Sequence, residues 1–223
     1  MGSNPNEIIV TILAILLALS IHEYAHAKMA DLAGDPTPAF YGRVTLNPLA
    51  HLDPIGTVMI VLTTLTGFGI GWGKPVPVNP KAMRNPRWDH FASVAAGPLS
   101  NLVQAVIWAV ILRAGGFLQA YDISSIYEGR AGLGALFLLV AVQVNIAIFL
   151  FNLIPLGPLD GHWMLGTFMP EEMRLRWYLW NRQVGSIVLL AIILGGQFIG
   201  FSLVGMVLQP LMIGLIKFLL GLR

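Results

Sequence analysis

Cysteine is absent from the chain. Disulfides and thiolate metal sites are therefore excluded, and any zinc site must be built from His, Asp, Glu and water. Charge is scarce as well. Asp, Glu, Lys and Arg make up 11% of the residues, against about 25% in a soluble domain. With 56% of the residues hydrophobic, that shortage reads as an integral membrane protein. The net charge of +2 is small and the basic residues are scattered, so nucleic acid is not an indicated partner. No heptad pattern, low-complexity tract, internal repeat or long polar linker interrupts the chain. One membrane domain is expected over residues 1–223, with a core at 8–165 and a C-terminal helix pair at 184–220. Basic residues are also missing before the first apolar run, which is therefore not read as a cleaved signal peptide.

What the chain does have is His22-Glu23-Tyr24-Ala25-His26, placed near the end of an apolar run that starts at Ile8. Residues four apart on a helix project from one face, so both imidazoles can bind one zinc ion. Glu23, beside the first ligand, can reach a water on that ion as general base. Five His and five Glu in 223 residues give a chance expectation of roughly 0.002 for this pattern. Two histidines merely satisfied by neighbouring helices would leave unexplained why three ionisable groups sit where each costs a few kcal/mol.

Residues 7–30 are expected to form the first span, closed by Gly34-Asp35-Pro36. Residues 35–53 are turn-rich, and Phe40–Leu46 is compatible with a short strand. His51 stands alone in this loop and reads as structural or solvated. Residues 55–72 are apolar but rich in Thr and Gly, and the run Gly73–Pro80 holds three prolines and cannot be helical. A second crossing and a re-entrant or strand-like insertion are both compatible with this composition. Residues 90–112 form the next span and carry Gly97-Pro98 and the amide Asn101, read as a support for the metal ligands in preference to simple helix–helix hydrogen bonding. Residues 132–155 form another span, which ends in Asn152-Leu153-Ile154-Pro155-Leu156-Gly157-Pro158-Leu159-Asp160-Gly161. Prolines and glycines dismantle that helix just before a lone acid. A catalytic zinc usually has three protein ligands and an open position, and Asp160 is the acid in the right setting to be the third. Residues 162–183 mix Arg, Glu, Trp and Tyr and read as an interfacial amphipathic stretch.

Topology follows from parity. His22, His26 and Asp160 must lie at one depth, so the first span and the span ending at Asn152 must finish on the same side. That holds if residues 55–72 dip in and return, and fails if they cross. The re-entrant arrangement, with the C-terminal helix pair crossing twice and returning Lys217 and Arg223 to the motif side, also divides Lys and Arg eleven to two, against nine to four for a full crossing. The positive-inside rule favours the sharper split, with the N-terminus outside and the site towards the cytoplasm. The expected fold is an all-α polytopic membrane protein with about five spanning helices and a re-entrant or strand-like insertion at residues 40–80.

With these motifs placed, the chain resembles the site-2 proteases, intramembrane zinc metalloproteases, and among them the compact prokaryotic branch. The resemblance rests on His22-Glu23-x-x-His26, Gly97-Pro98-x-x-Asn101, Lys74-Pro75-Val76-Pro77-Val78-Asn79-Pro80, and Asn152 with Asp160-Gly161, and covers about residues 8–165. It implies one zinc ion per chain on His22, His26 and Asp160, with Glu23 as catalytic base. It also implies that Asn152 lies near the active site, where it can steady substrate or the oxyanion. The implied activity is regulated intramembrane proteolysis in a prokaryotic cell membrane, on single-span membrane-protein substrates within the lipid bilayer. The chain has no room for the PDZ insertion or CBS domains that some members carry. The competing class is a non-hydrolytic membrane zinc-binding protein: a carrier, sensor or scaffold. A carrier would be expected to show ligands at several depths or repeated halves, and binding metal alone does not need Glu23.

Overall fold

The computed structural model describes residues 4–199 and 202–222. The chain is 75% helical, and no strand occurs among the described residues. Eleven α-helices follow in order: α1 Pro5–Leu32, α2 Thr37–Phe40, α3 Pro54–Thr66, α4 Trp88–Ala114, α5 Phe117–Ala120, α6 Ile123–Tyr127, α7 Gly132–Asn152, α8 Asp160–Thr167, α9 Glu171–Trp180, α10 Ser186–Ile199 and α11 Leu203–Leu220. A π-helical turn, Asn181–Gly185, joins α9 to α10. Among the described residues, five helical segments are long and apolar enough to cross a membrane: α1, α4, α7, Glu171–Gly196 and α11.

Helices α1, α4 and α7 pack together as the centre of the molecule. Their contact faces are lined by alanine: Ala14, Ala18 and Ala27 of α1, Ala105 and Ala109 of α4, Ala135 and Ala141 of α7, all buried. Lipid tails give apolar side chains no reason to leave them, so small residues that let backbones approach closely carry the association. The α1 helix begins with Asn4 accepting from the Asn6 amide at 3.0 Å and with Pro5 in its first turn. Its 28 residues reach about 42 Å, enough to cross the bilayer and carry the motif to the far end.

The segment after α1 turns back, as parity requires. At 13 residues, α3 spans about 20 Å and is too short to cross a hydrocarbon core of about 30 Å. It ends at Gly67 in the left-handed region, φ +71°. Thr63 and Thr64 there share a small cavity with Glu7, Ile8 and Thr11 at the start of α1. The chain then runs back in extended form to an antiparallel bridge between Leu52 and Gly73. Gly56 and Gly71 make the close packing between α3 and the returning segment feasible: a Cβ on either would overlap Trp72 or Ile60.

Two expectations need correction. Phe40–Leu46 is not a strand. Pro38 lies in the helical turn α2, and Gly42 at φ +64° then breaks the extended path. The second concerns the C-terminus. Arg113, at the end of α4 away from the motif, donates to the Leu219 carbonyl at 3.2 Å, and Leu220 is buried with Leu112 and Ile126. Yet Ser202 and Gly205, at the other end of α11, line one cavity with His22 and Asp160. Helices α10 and α11 together thus make one net crossing, and Lys217 ends beside Arg113, away from the motif. The division of Lys and Arg becomes nine to three; Arg223 lies outside the described residues.

Candidate metal centre

The three expected ligands meet at one point. His22 Nε2 lies 3.0 Å from His26 Nε2. Asp160 Oδ2 is 3.2 Å from the first and 3.4 Å from the second. They are the one group of three or more His, Cys, Asp or Glu among the described residues placed to hold an ion. Tetrahedral ligands about 2.0–2.1 Å from zinc stand about 3.3 Å from one another, so the triangle has the size that zinc requires.

The surrounding hydrogen bonds settle which atoms face inward. His22 Nδ1 is 2.6 Å from Asn101 Oδ1, and His26 Nδ1 is 2.8 Å from the Ser93 carbonyl. Both partners only accept, so both Nδ1 atoms carry the proton and both Nε2 atoms present a lone pair. Asn101 is itself oriented: its Nδ2 donates to Asn145 Oδ1 at 2.9 Å, and Asn145 Nδ2 donates to the Ala141 carbonyl at 2.9 Å. With both imidazoles neutral, the triangle holds three acceptors and no donor. Asp160 Oδ2 is buried and has no hydrogen-bond partner. Three facing lone pairs in a buried site are satisfied by a cation, and the donor set of two imidazoles and a carboxylate suits zinc.

Each helix supplies its part through local sequence. The His22–His26 spacing on α1 puts both rings over α4, where Gly97 leaves room for them. Ser93 clasps α1 from the same helix: its carbonyl takes the His26 proton and its hydroxyl donates to the His26 carbonyl at 3.1 Å. Asp160 opens α8, where a helix N-terminus favours a carboxylate. Gly161 sits so close to the Leu153 and Ile154 carbonyls that a Cβ would collide with them, which ties the ligand to the end of α7.

Glu23 is buried and stands outside the triangle. Its Oε1 would lie 3.4 Å from a Cβ on Gly73, so it packs against the returning segment. Both Glu23 and the triangle line a cavity of about 1060 Å³. Residues Ile70 to Pro80 contribute one wall, the end of α7 another, and α11 a third. Asn152 is on this lining, with its Nδ2 tied to the Ile148 carbonyl at 3.0 Å.

His51 is not part of the site. It is buried, its ring bonds the Thr45 carbonyl at 2.7 Å, and its own carbonyl receives the Lys74 amide at 2.8 Å. Its work is to hold the returning segment. Sequence reasoning missed Ser93, Asn145 and the cavity-lining His90. Asn145 carried a usable signal, as an amide in the middle of the very apolar α7. Ser93 did not, because its key atom is a backbone carbonyl. Replacing Asn101 with Leu is expected to weaken zinc binding about 10- to 100-fold with all ligands intact. Chelator competition on the purified protein checks this, and wild-type affinity would remove Asn101 from the support of His22.

No protein-family model matches the chain, and no solved structure matches it. Two curated relatives do. One is named "Putative zinc metalloprotease YwhC", from Bacillus subtilis, 33% identical over 90% of this chain and 93% of the relative. Another is named "Putative zinc metalloprotease Rip2", from Mycolicibacterium smegmatis, 29% identical over 74% of this chain and 60% of the relative. An identity above 30% along nearly the whole of both chains makes this protein a member of the same zinc metalloprotease family, the site-2 proteases.

Proposed function

We propose that the protein is an intramembrane zinc endopeptidase that hydrolyses peptide bonds in or near transmembrane segments of membrane-protein substrates. The observation that carries this reading is the triangle of His22 Nε2, His26 Nε2 and Asp160 Oδ2 with a buried Glu23 beside it, on a cavity walled by membrane helices. One zinc ion held there would polarise a scissile carbonyl and acidify a water. Glu23 accepts the water proton on its carboxylate and later delivers it to the leaving amine. His22 and His26 keep their protons on Nδ1 throughout, held by Asn101 and Ser93. Asn152, on the cavity wall, is available to steady substrate or the developing oxyanion.

A transmembrane substrate hides its carbonyls in helical hydrogen bonds and must be unwound to be cut. Ile70 to Pro80 form an extended cavity wall, and an extended wall can hold a substrate strand by main-chain pairing. Burial of the site among helices keeps bulk water out except through the cavity. Reconstitution in vesicles with candidate single-span substrates tests the reading. Two fragments are expected from wild type, none with a zinc chelator, and recovery on adding zinc. A protein that holds one zinc per chain yet cuts no such substrate would instead support a carrier or scaffold.

We also place the N-terminus outside and the metal centre towards the cytoplasm of a prokaryotic cell membrane, on the bias of nine Lys and Arg at the site end. Tags at the N-terminus and within residues 121–129 are expected to be reached from outside intact cells. Protection of both tags would reverse the assignment.

A further inference from the structure

Asp160 reaches the triangle from a loop that has little helix of its own, and the element that grips this loop comes from later in the chain. Asn181 opens the π turn and is 1% exposed. Its Oδ1 accepts the Gly157 amide at 2.7 Å, and its Nδ2 donates to the Trp177 carbonyl at 3.1 Å. The amide is thus fixed in one orientation, with its oxygen aimed at the loop. Two glycines permit the approach. A Cβ on Gly157 would come within 3.0 Å of the Asn181 carbonyl, and one on Gly185 within 2.7 Å of Asn181 Oδ1 and 3.1 Å of the Gly157 nitrogen. The same face of α9 holds α8 directly. Trp177 Nε1 donates to the His162 carbonyl at 2.8 Å, and the Tyr178 hydroxyl to the Trp163 carbonyl at 3.2 Å. The Asp160 backbone is therefore gripped on both sides, three residues before it and two residues after it.

A π turn widens a helix by one residue and often marks a functional position. Here the extra residue turns Asn181 inward to meet Gly157 while α9 and α10 stay continuous. We infer that Asn181 is a positioning residue for the third metal ligand: the π turn holds the Gly157–Asp160 loop so that the carboxylate stays within the triangle. Asn181 touches neither ligand nor cavity. The inference rests on the metal reading above and deepens it, because it makes ligand retention depend on a helix outside the α1–α4–α7 core.

The test is release of zinc from the full-length chain in detergent into excess chelator. Asn181→Leu keeps every ligand but loses the acceptor for Gly157, and is expected to release zinc about 10- to 100-fold faster than wild type. Gly185→Ala, a mild change for a helix, wedges between Asn181 and Gly157 and is expected to do the same, which guards against misfolding of the first variant. Asn181→Asp, as a buried neutral acid, restores a donor and an acceptor at these positions and is expected to release within a few fold of wild type. With cobalt in place of zinc, the visible spectrum should change in Asn181→Leu and return in Asn181→Asp. Wild-type release by Asn181→Leu, or equally fast release by the Leu and Asp variants, overturns the positioning role. If wild type and His22→Ala retain the same amount of zinc, the metal reading itself fails and takes this inference with it.

Discussion

Exchanging Glu23 for glutamine is expected to cut peptide hydrolysis about 10³-fold or more while zinc stays at one per chain. Glutamine has nearly the same shape, but its amide cannot take up a proton. Positioned proton transfer contributes about 10² to 10⁴ in rate, and hydrolysis needs it twice, from the water and to the leaving amine. Glu23 stands outside the triangle of donor atoms, so its loss removes no ligand. Its packing against Gly73 should survive, since the replacement is as long as the original. Single-turnover cleavage in vesicles measures the first effect and elemental analysis the second. Activity within tenfold of wild type would sink the general-base assignment. Loss of zinc alongside activity would instead make Glu23 part of the metal-holding structure.

Adding one methyl group at Gly97 should be almost as damaging, although Gly97 has no chemistry of its own. A Cβ there would overlap the His26 ring and stand 2.8 Å from His22 Cε1, where carbon atoms settle at about 3.5–4.0 Å. Neither ring can yield cheaply. His26 is tied to Ser93, His22 to Asn101, and Asn101 onward to Asn145. Moving α4 away from α1 would break the bonds from Asn101 and Ser93 to those same rings. Gly97→Ala is therefore expected to lower zinc affinity by more than about 100-fold, beyond the usual loss from a single supporting bond. Gly195→Ala is the matched control. Its Cβ would meet nothing within 4 Å, and a helical Gly→Ala change is neutral to favourable by about 1 kcal/mol. Zinc binding by Gly97→Ala equal to that of the control would show that the rings tolerate the intrusion.

Much of this site was legible because its signals are local. His22, Glu23 and His26 declare themselves by a spacing that any helix would honour. Asp160 followed from the absence of cysteine and from its place at the end of a dismantled helix. Parity favours the re-entrant reading of residues 55–72 over a full crossing. What stayed hidden depends on register between helices. Asn145 matters because it lies opposite Asn101, and Ser93 because its carbonyl faces a particular imidazole; neither relation is written in spacing along one helix. Lys217 was misplaced for a similar reason. Two apolar segments predict two crossings, whereas Leu219 beside Arg113 and Ser202 on the cavity of the motif leave one net crossing. The strand reading of Phe40–Leu46 failed more locally, to the turn preferences of Pro38 and Gly42.

The three donor atoms also set a rule for biosynthesis. His26 and Asp160 are separated by 134 positions, and the grip on the loop by Trp177 and Asn181 comes later still. A ribosome that has delivered α1 to the membrane has delivered a base and two imidazoles, with nothing to complete them. Translation must pass the last of the central helices before the centre can close. A chain stalled before Asp160 therefore lacks the third donor. On the activity proposed above, the order of synthesis delays cleavage until the centre is complete.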